Sequence, residues 1–419
     1  MNRTSLGVCL FAMGIAAAQA QDGASVASSA VAEAPPVVAD DDSGGVPDAF
    51  HGLLNRFQFH GAFAQGFVYG SGNNYLTMNT NSGSARWSEG ALNLSIPIND
   101  NFHVGAQIHS YVMGQIGRGN LQVDWAYADY KVNEWLGFRA GKLKAASGLF
   151  SELEGTDTLY NWALLPQGIY EAEYRSFNLP VIGGEIYGAG PLPKLGRISY
   201  QLYGGERKVD SSDGSPLDCW ELYQINEGKM RGPNYGGKLR WDTPLRGLTT
   251  AVSYDHTRTY TDKAYFPTYP QYTYFSLDSV IGAEVYSVEY QRGRLDLSAE
   301  GRHTALWSSA VQETMPRNAW YVMGSYRLRE KLTLGSYFSR IVGVNGDDVF
   351  SWSYYQPSNP AFYSNDFVAN ARYDVNRYVY VKGEGHYIDG ELGAFFPASN
   401  PNGLQKVTRL AILRVGFTF

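Results

Sequence analysis

Catalysis by a polar cluster needs acid, base and nucleophile on one surface, so the first question is which such residues stand together in this chain. Asp255-His256 and His109-Ser110 have the composition of hydrolytic fragments. If they lie on strands, however, neighbouring side chains point to opposite faces and cannot cooperate. Glu384 and His386 do share a face, with Lys382, but no nucleophile can be placed beside them, and a polar stripe is the better reading. Asn345-Gly346-Asp347-Asp348 has calcium-binding residue types without the further spaced ligands such a loop requires, and reads as a turn. No catalytic residue, metal ligand or cofactor is therefore assigned. The remaining chemistry is electrostatic: Glu152, Glu154, Asp157, Glu171 and Glu173 fall in one stretch, 145–180, against a single base, Arg175.

The elements that position these charges have a period of two. In Leu295-Asp296-Leu297-Ser298-Ala299-Glu300-Gly301-Arg302, apolar or small residues alternate with polar ones, and Phe367 to Val375 repeats the pattern. Runs of this kind predict sixteen strands, near 57–68, 87–98, 102–113, 120–132, 136–144, 181–189, 196–204, 234–243, 248–259, 280–291, 294–305, 318–329, 331–341, 365–375, 377–388 and 407–419. Short turns such as Asn99-Asp100-Asn101, Gly293 and Asn376 alternate with long Gly/Asn/Ser/Tyr-rich connections. An even number of two-faced strands joined in this way predicts an all-β, antiparallel transmembrane barrel with a polar lumen. A charge facing lipid is costly, so strand charges are expected to point inward. The apolar partners then assign a basic wall of Arg139, Lys238, Arg240, Arg294, Arg302, Arg327, Arg372, Lys382 and Arg414, with fewer acids between them.

Composition agrees. With 31 Tyr, 20 Phe, 9 Trp and 47 Gly but only 18% charged residues, the chain is unusually aromatic for a soluble enzyme, and no stretch after the N-terminus is apolar for long enough to form a spanning helix. Residues 1–20 read as an export signal: Asn2-Arg3, the apolar run Leu6 to Ala18, and Ala18-Gln19-Ala20 as the cleavage site. Residues 21–50 are rich in Ala, Val, Ser, Asp and Pro and predict a flexible acidic periplasmic arm, leaving 51–419 for the barrel. Six acids lie in that arm; without them and Arg3 the chain is within one charge of neutral, which implies no nucleic-acid surface. Cleavage would leave Cys219 as the only thiol, so no intrachain disulfide is expected.

The closing run Leu410-Ala411-Ile412-Leu413-Arg414-Val415-Gly416-Phe417-Thr418-Phe419 resembles the last strand of Gram-negative outer-membrane barrels, and Arg139-Ala140-Gly141-Lys142 followed by Gly148-Leu149-Phe150 resembles a strand and loop start of porin-like proteins. In place of the Pro-x-Gly common there, this chain has Ala146-Ser147-Gly148. The resemblance to sixteen-stranded porins covers 51–419, chiefly through layout. It implies a bacterial outer-membrane location in contact with lipid and a passive channel for small polar solutes, which the basic wall tilts toward anions and a field across the lumen would tilt toward zwitterions. It further implies recognition of Phe417 and Phe419 by the barrel-assembly machinery, association as a homotrimer, and an inward-folded constriction loop after the fifth strand. That loop is 145–180, where Tyr160 to Leu165 could form a helical turn. Its acids would then face the basic wall and set a field across the lumen. An outer-membrane lipase or protease and a closed structural or adhesive barrel are the alternatives.

Overall fold

The computed structural model describes residues 57–217, 230–264, 275–309, 312–343 and 359–419. The expected signal, the arm, Cys219 and 345–348 lie outside the described residues. Period-two sequence becomes strand at all sixteen expected places. In chain order they are β1 (Gln58–Ser71), β2 (Ser84–Asn99), β3 (Phe102–Met113), β4 (Gln122–Asn133), β5 (Leu136–Lys144), β6 (Pro180–Leu192), β7 (Gly196–Lys208) and β8 (Met230–Asp242). There follow β9 (Leu248–Ala264), β10 (Phe275–Arg292), β11 (Leu295–Ser308), β12 (Glu313–Arg329), β13 (Leu332–Gly343), β14 (Tyr363–Asp374), β15 (Val379–Gly390) and β16 (Val407–Thr418).

Each strand pairs antiparallel with its sequence neighbours, and β1 closes on β16 in the register Ala62↔Thr418 to Ser71↔Arg409. Closure leaves no edge, so the backbone groups of the ladder are satisfied without water, as a hydrocarbon environment demands. Among the described residues no helix is long and apolar enough to cross a membrane, which says nothing of a crossing by strands.

Alternation sets the two faces. Along β16, Leu410, Ile412 and Arg414 are buried inside, whereas Leu413, Val415 and Phe417 are exposed on the outside. Phe59, Phe63 and Phe67 of β1 continue the outward apolar face. The short turns are tight enough to need glycine: Gly196 has φ 93°, and a Cβ there would lie 2.0 Å from the Asp242 carbonyl oxygen.

Several strands run beyond the alternating sequence at the long-loop end: β1 to Ser71, β9 to Ala264, β10 from Phe275 and β12 from Glu313. Past the lipid both faces of a strand are wetted, so the ladder continues after the polarity signal has stopped. The helical turn expected at Tyr160–Leu165 is absent. Helical turns lie to either side instead, at Asp157–Leu159, Ala172–Tyr174 and Arg175–Asn178, for a reason given by the wall itself.

Candidate functional site

The connection between β5 and β6, residues 145–179, folds into the barrel and meets the wall on many strands. Its backbone N–H groups at Ala163 and Leu164 donate to the two oxygens of Glu384, at 2.8 and 3.1 Å. Glu384 therefore supplies the acceptors that a helix would have offered, and the segment stays extended with Trp162, Ala163, Leu164 and Leu165 buried. Wall donors take the loop's carbonyls in return. Lys382 Nζ donates to Asp157 O at 2.7 Å and Trp162 O at 2.9 Å, and Arg372 donates to Thr158 O and Tyr160 O, both at 2.9 Å. Lys238 donates to Gly148 O at 2.6 Å. Glu300 on β11 accepts from Leu149 N at 2.8 Å, from Tyr321 OH at 2.8 Å, and from Tyr170 OH.

The loop's acids are placed unevenly. Asp157, 3% exposed, sits 3.0 Å from Lys382 Nζ and 3.1 Å from Arg414 Nε. Glu171 lies 3.3 Å from Arg302 and also pairs with Arg317. Glu152 is exposed, 3.7 Å from Lys238. Glu173 is buried. Glu154 lies near Arg175 and Lys144; burial pushes its carboxyl up to about 7 against the pull of those two bases. Acids and bases thus meet in direct, mostly buried contact, where a field between the acidic loop and the opposite wall requires separation.

Of the basic wall, Lys238, Arg302, Arg372, Lys382 and Arg414 converge on the loop. Arg139 and Arg240 stand apart, paired with Asp129 and Glu185, and with Asp242. Arg294 is exposed in the turn between β10 and β11, and Arg327 is exposed near the end of β12. Parity places both on the inward face, but parity fixes a face and not a height. Arg207 and Arg317 lie just beyond the predicted ends of strands 7 and 12, at 204 and 318; the same alternation, carried outward, reaches both. Arg207 pairs with Asp255 at 3.0 Å and donates to Asn178 O at 3.1 Å, clamping the loop's exit. Glu89, Asp129, Asp255 and Asp366 are further acids in the interior network, so the acids do not trail the bases as the alternation implied.

The hydrolytic fragments separate as expected of strand neighbours. Asp255 is buried with Arg207, while His256 stacks on Tyr235 of the outer face at a ring distance of 4.9 Å. His109 pairs with Glu89 at 3.1 Å. His386 is held between Asp366 and Glu384, at 2.9 Å from each, so neither ring nitrogen is left to act as a base. Among the described residues no group of three or more ligand-type side chains could hold a metal.

A second feature lies beside the loop. Leu76 and Met78 from 72–83, Ile116 from 114–121 and Phe395 and Phe396 from 391–406 pack with Leu164 against the inward Val68, Leu410 and Ile412. Loops 72–83 and 391–406 are zipped by Asn73, whose Nδ2 donates to Gln405 O at 2.6 Å and whose Oδ1 accepts from Gln405 N at 2.7 Å, and by Asn74 and Asn400. Between the 145–179 loop and β2, β3 and β16 a cavity remains, lined by Trp87, Glu89, His109, Tyr160, Arg175 and Arg414 among others.

No protein-family model and no curated protein matches the chain. Solved structures do. OmpT of Vibrio cholerae, an outer-membrane protein, superposes with a TM-score of 0.55 at 11% identity over 87% of this chain and 97% of its own. An anion-selective porin from Comamonas acidovorans gives 0.51 at 10% over 87% and 99%, and OmpF of Salmonella typhi gives 0.51 at 12% over 87% and 97%. Identities this low speak for architecture alone. With a closed sixteen-strand antiparallel ladder, an apolar outer face and a loop folded inward after the fifth strand, the chain has the porin-like outer-membrane β-barrel fold.

Proposed function

We propose that the barrel is a passive outer-membrane channel for small polar solutes, with the 145–179 loop as its constriction. The observation that carries this reading is the anchoring of that loop across the interior by Glu300, Arg372, Lys382 and Glu384, which holds polar groups of both signs beside the cavity. A sixteen-strand barrel is wide enough to leave an aqueous path unless something fills it. Since acids and bases alternate in contact, the channel favours dipolar solutes over simple anions. The reading includes an export signal at 1–20, a dispensable arm at 21–50, assembly through the C-terminal Phe419 and association as a homotrimer; one Vibrio cholerae OmpT structure has a trimer form.

One observation favours a second reading. The apolar cluster of Leu76, Met78, Ile116 and Phe395 occupies interior space that an open lumen would give to water, and so favours a barrel closed at rest. Planar-bilayer recording distinguishes the two. Discrete conductance steps from the native barrel, with a reversal potential showing little preference between anions and cations, support the channel. A native barrel that stays silent and conducts only after residues 72–83 are shortened supports the closed form. Silence in both overturns the channel.

A further inference from the structure

Between β4 and β6 the lumen wall carries a row of flat side chains. Trp125 and Tyr127 on β4 stack with ring centroids 5.1 Å apart and planes 29° from parallel. The guanidinium carbon of Arg139 on β5 lies 5.3 Å from the Tyr127 centroid and 4.3 Å from that of Tyr187 on β6. Register puts the row inside, because directly opposed residues on antiparallel strands share a face. Tyr187 stands against Gln201 of β7 and Gln201 against Lys238 of β8, whose Nζ reaches Gly148 O of the inward loop. Trp125 stands likewise against Gln107 of β3, which donates to Asp124, a partner of Arg175 in the loop.

Backbone and charge hold these planes in place. A Cβ at Gly105 would lie 2.9 Å from the Trp125 ring, and one at Gly137 would lie 2.3 Å from the Tyr187 ring, so each ring rests on a glycine of the adjacent strand. Arg139 donates to Asp129 at 2.9 Å and to Glu185 at 3.0 Å, which fixes the guanidinium plane and offsets its charge. Packing accounts for the covered faces and not for the rest: Trp125, Tyr127, Arg139 and Tyr187 all stay partly exposed. Beside the row stands Glu152, which alone among the five loop acids is exposed. Its Oε1 accepts from Gln201 Nε2 at 3.0 Å, one strand from Tyr187, and its nearest base, Lys238, is 3.7 Å away and donates to Gly148 O.

We propose that this row, with Glu152 beside it, is a lumenal binding site for amines that carry a flat aromatic ring. A ring laid on the row meets the faces of Trp125 and Tyr127 and the guanidinium plane of Arg139, all of which stack on π-systems. The ammonium group meets the exposed Glu152 carboxylate in a charge-assisted hydrogen bond. A ring that carries a carboxylate in place of the amine finds Arg139 already paired with two acids and is repelled by Glu152. The site lies toward the short-turn end of the barrel, Gly137 being the second residue of β5, and so stands away from the apolar cluster built by the long loops.

The site rests on the water-filled lumen of the channel reading, and binding is measured apart from conductance, so a barrel that binds but never conducts keeps the site and loses the channel. The test is equilibrium dialysis of the full chain, folded in detergent, against phenethylamine, with protein-free detergent as the blank. Saturable binding is expected, weakened about tenfold by Glu152→Gln and about tenfold by Trp125→Leu, each removing one such contact. Heat-modifiable gel mobility shows that the variants have folded; Glu152→Gln changes an exposed loop side chain and keeps the test decisive where Trp125→Leu does not fold. Hydrocinnamate has the same ring with the opposite charge and should show no saturable binding. Cyclohexylethylamine has the same charge without a π-face and should bind more weakly than phenethylamine. A native barrel that does not bind phenethylamine, equal binding of the cyclohexyl amine, saturable binding of hydrocinnamate, or binding that either folded variant leaves unchanged would each overturn the site.

Discussion

Asp157 and Lys382 show how one buried pair can hold a whole loop. Lys382 is fully buried and serves the Asp157 carboxylate together with two loop carbonyls, at 157 and 162. Replacing it with methionine leaves the Asp157 and Trp162 carbonyls without their Lys382 donor and the Asp157 carboxylate with Arg414 and Tyr380 alone, and removing one partner of a buried pair typically costs about 3–5 kcal/mol. Lys382→Met should therefore lower the thermal midpoint and open the loop to chymotrypsin at Tyr160 and Trp162; a loop as protected as in the native protein would show that the pair holds nothing. Glu154 gives the loop a pH dependence of definite sign. Its folded carboxyl titrates at about 7 against 4.5 for the free group, because burial penalises its charge. Between those values the unfolded chain has released a proton that the folded loop still holds, so the stability contributed by this group is present at low pH and is lost as pH rises through about 7. Protease protection of the loop should fall between pH 5 and pH 8, and Glu154→Gln should flatten that change.

Elements meet most critically at the seam of β1 and β16. Gly61 and Phe419 exchange backbone hydrogen bonds of 3.1 and 3.0 Å, and the Phe419 ring covers Gly61 so closely that a Cβ there would lie 2.3 Å from it. Deleting Phe419 removes both bonds, each contributing about 1 kcal/mol, along with the ring contacts to Phe59 and Phe417. The yield of heat-modifiable barrel should drop sharply while export continues; an undiminished yield would mean that the terminal residue is not what closes the barrel. At the opposite end, Asn73 is 1% exposed and pairs with both backbone groups of Gln405. Asn73→Ala leaves those groups unpaired, at about 1–3 kcal/mol. If the apolar cluster closes the lumen, bilayer recordings of this variant should show more frequent openings than those of the native barrel.

At the scale of the molecule, the charges act on mobile ions through the lumen. Replacing Glu152, Glu154 and Asp157 by their amides leaves Lys238, Lys382 and Arg414 less neutralised and should move the reversal potential toward anions, and Lys382→Gln with Arg414→Gln should move it the other way. Both shifts should be larger at 0.1 M salt, where the screening length is about 10 Å, than at 1 M, where it is about 3 Å; unchanged potentials at low salt would place the loop outside the conducting path. The sixteen strands, their order, the short and long connections, the inward parity of Lys382, Glu384 and Arg414 and the aromatic end were all legible in the residues, because alternation, turns and termini are local properties that a chain carries wherever it goes. The extension of β7 to Arg207 was legible too, had the alternation been followed past the apolar positions. What the sequence could not contain is height and partnership. That Glu384 meets Ala163 and Leu164, more than two hundred residues away, while Arg294 stands exposed in a turn, depends on how far each strand is staggered when the barrel closes; parity gives a side chain its face, but only closure decides what stands across from it.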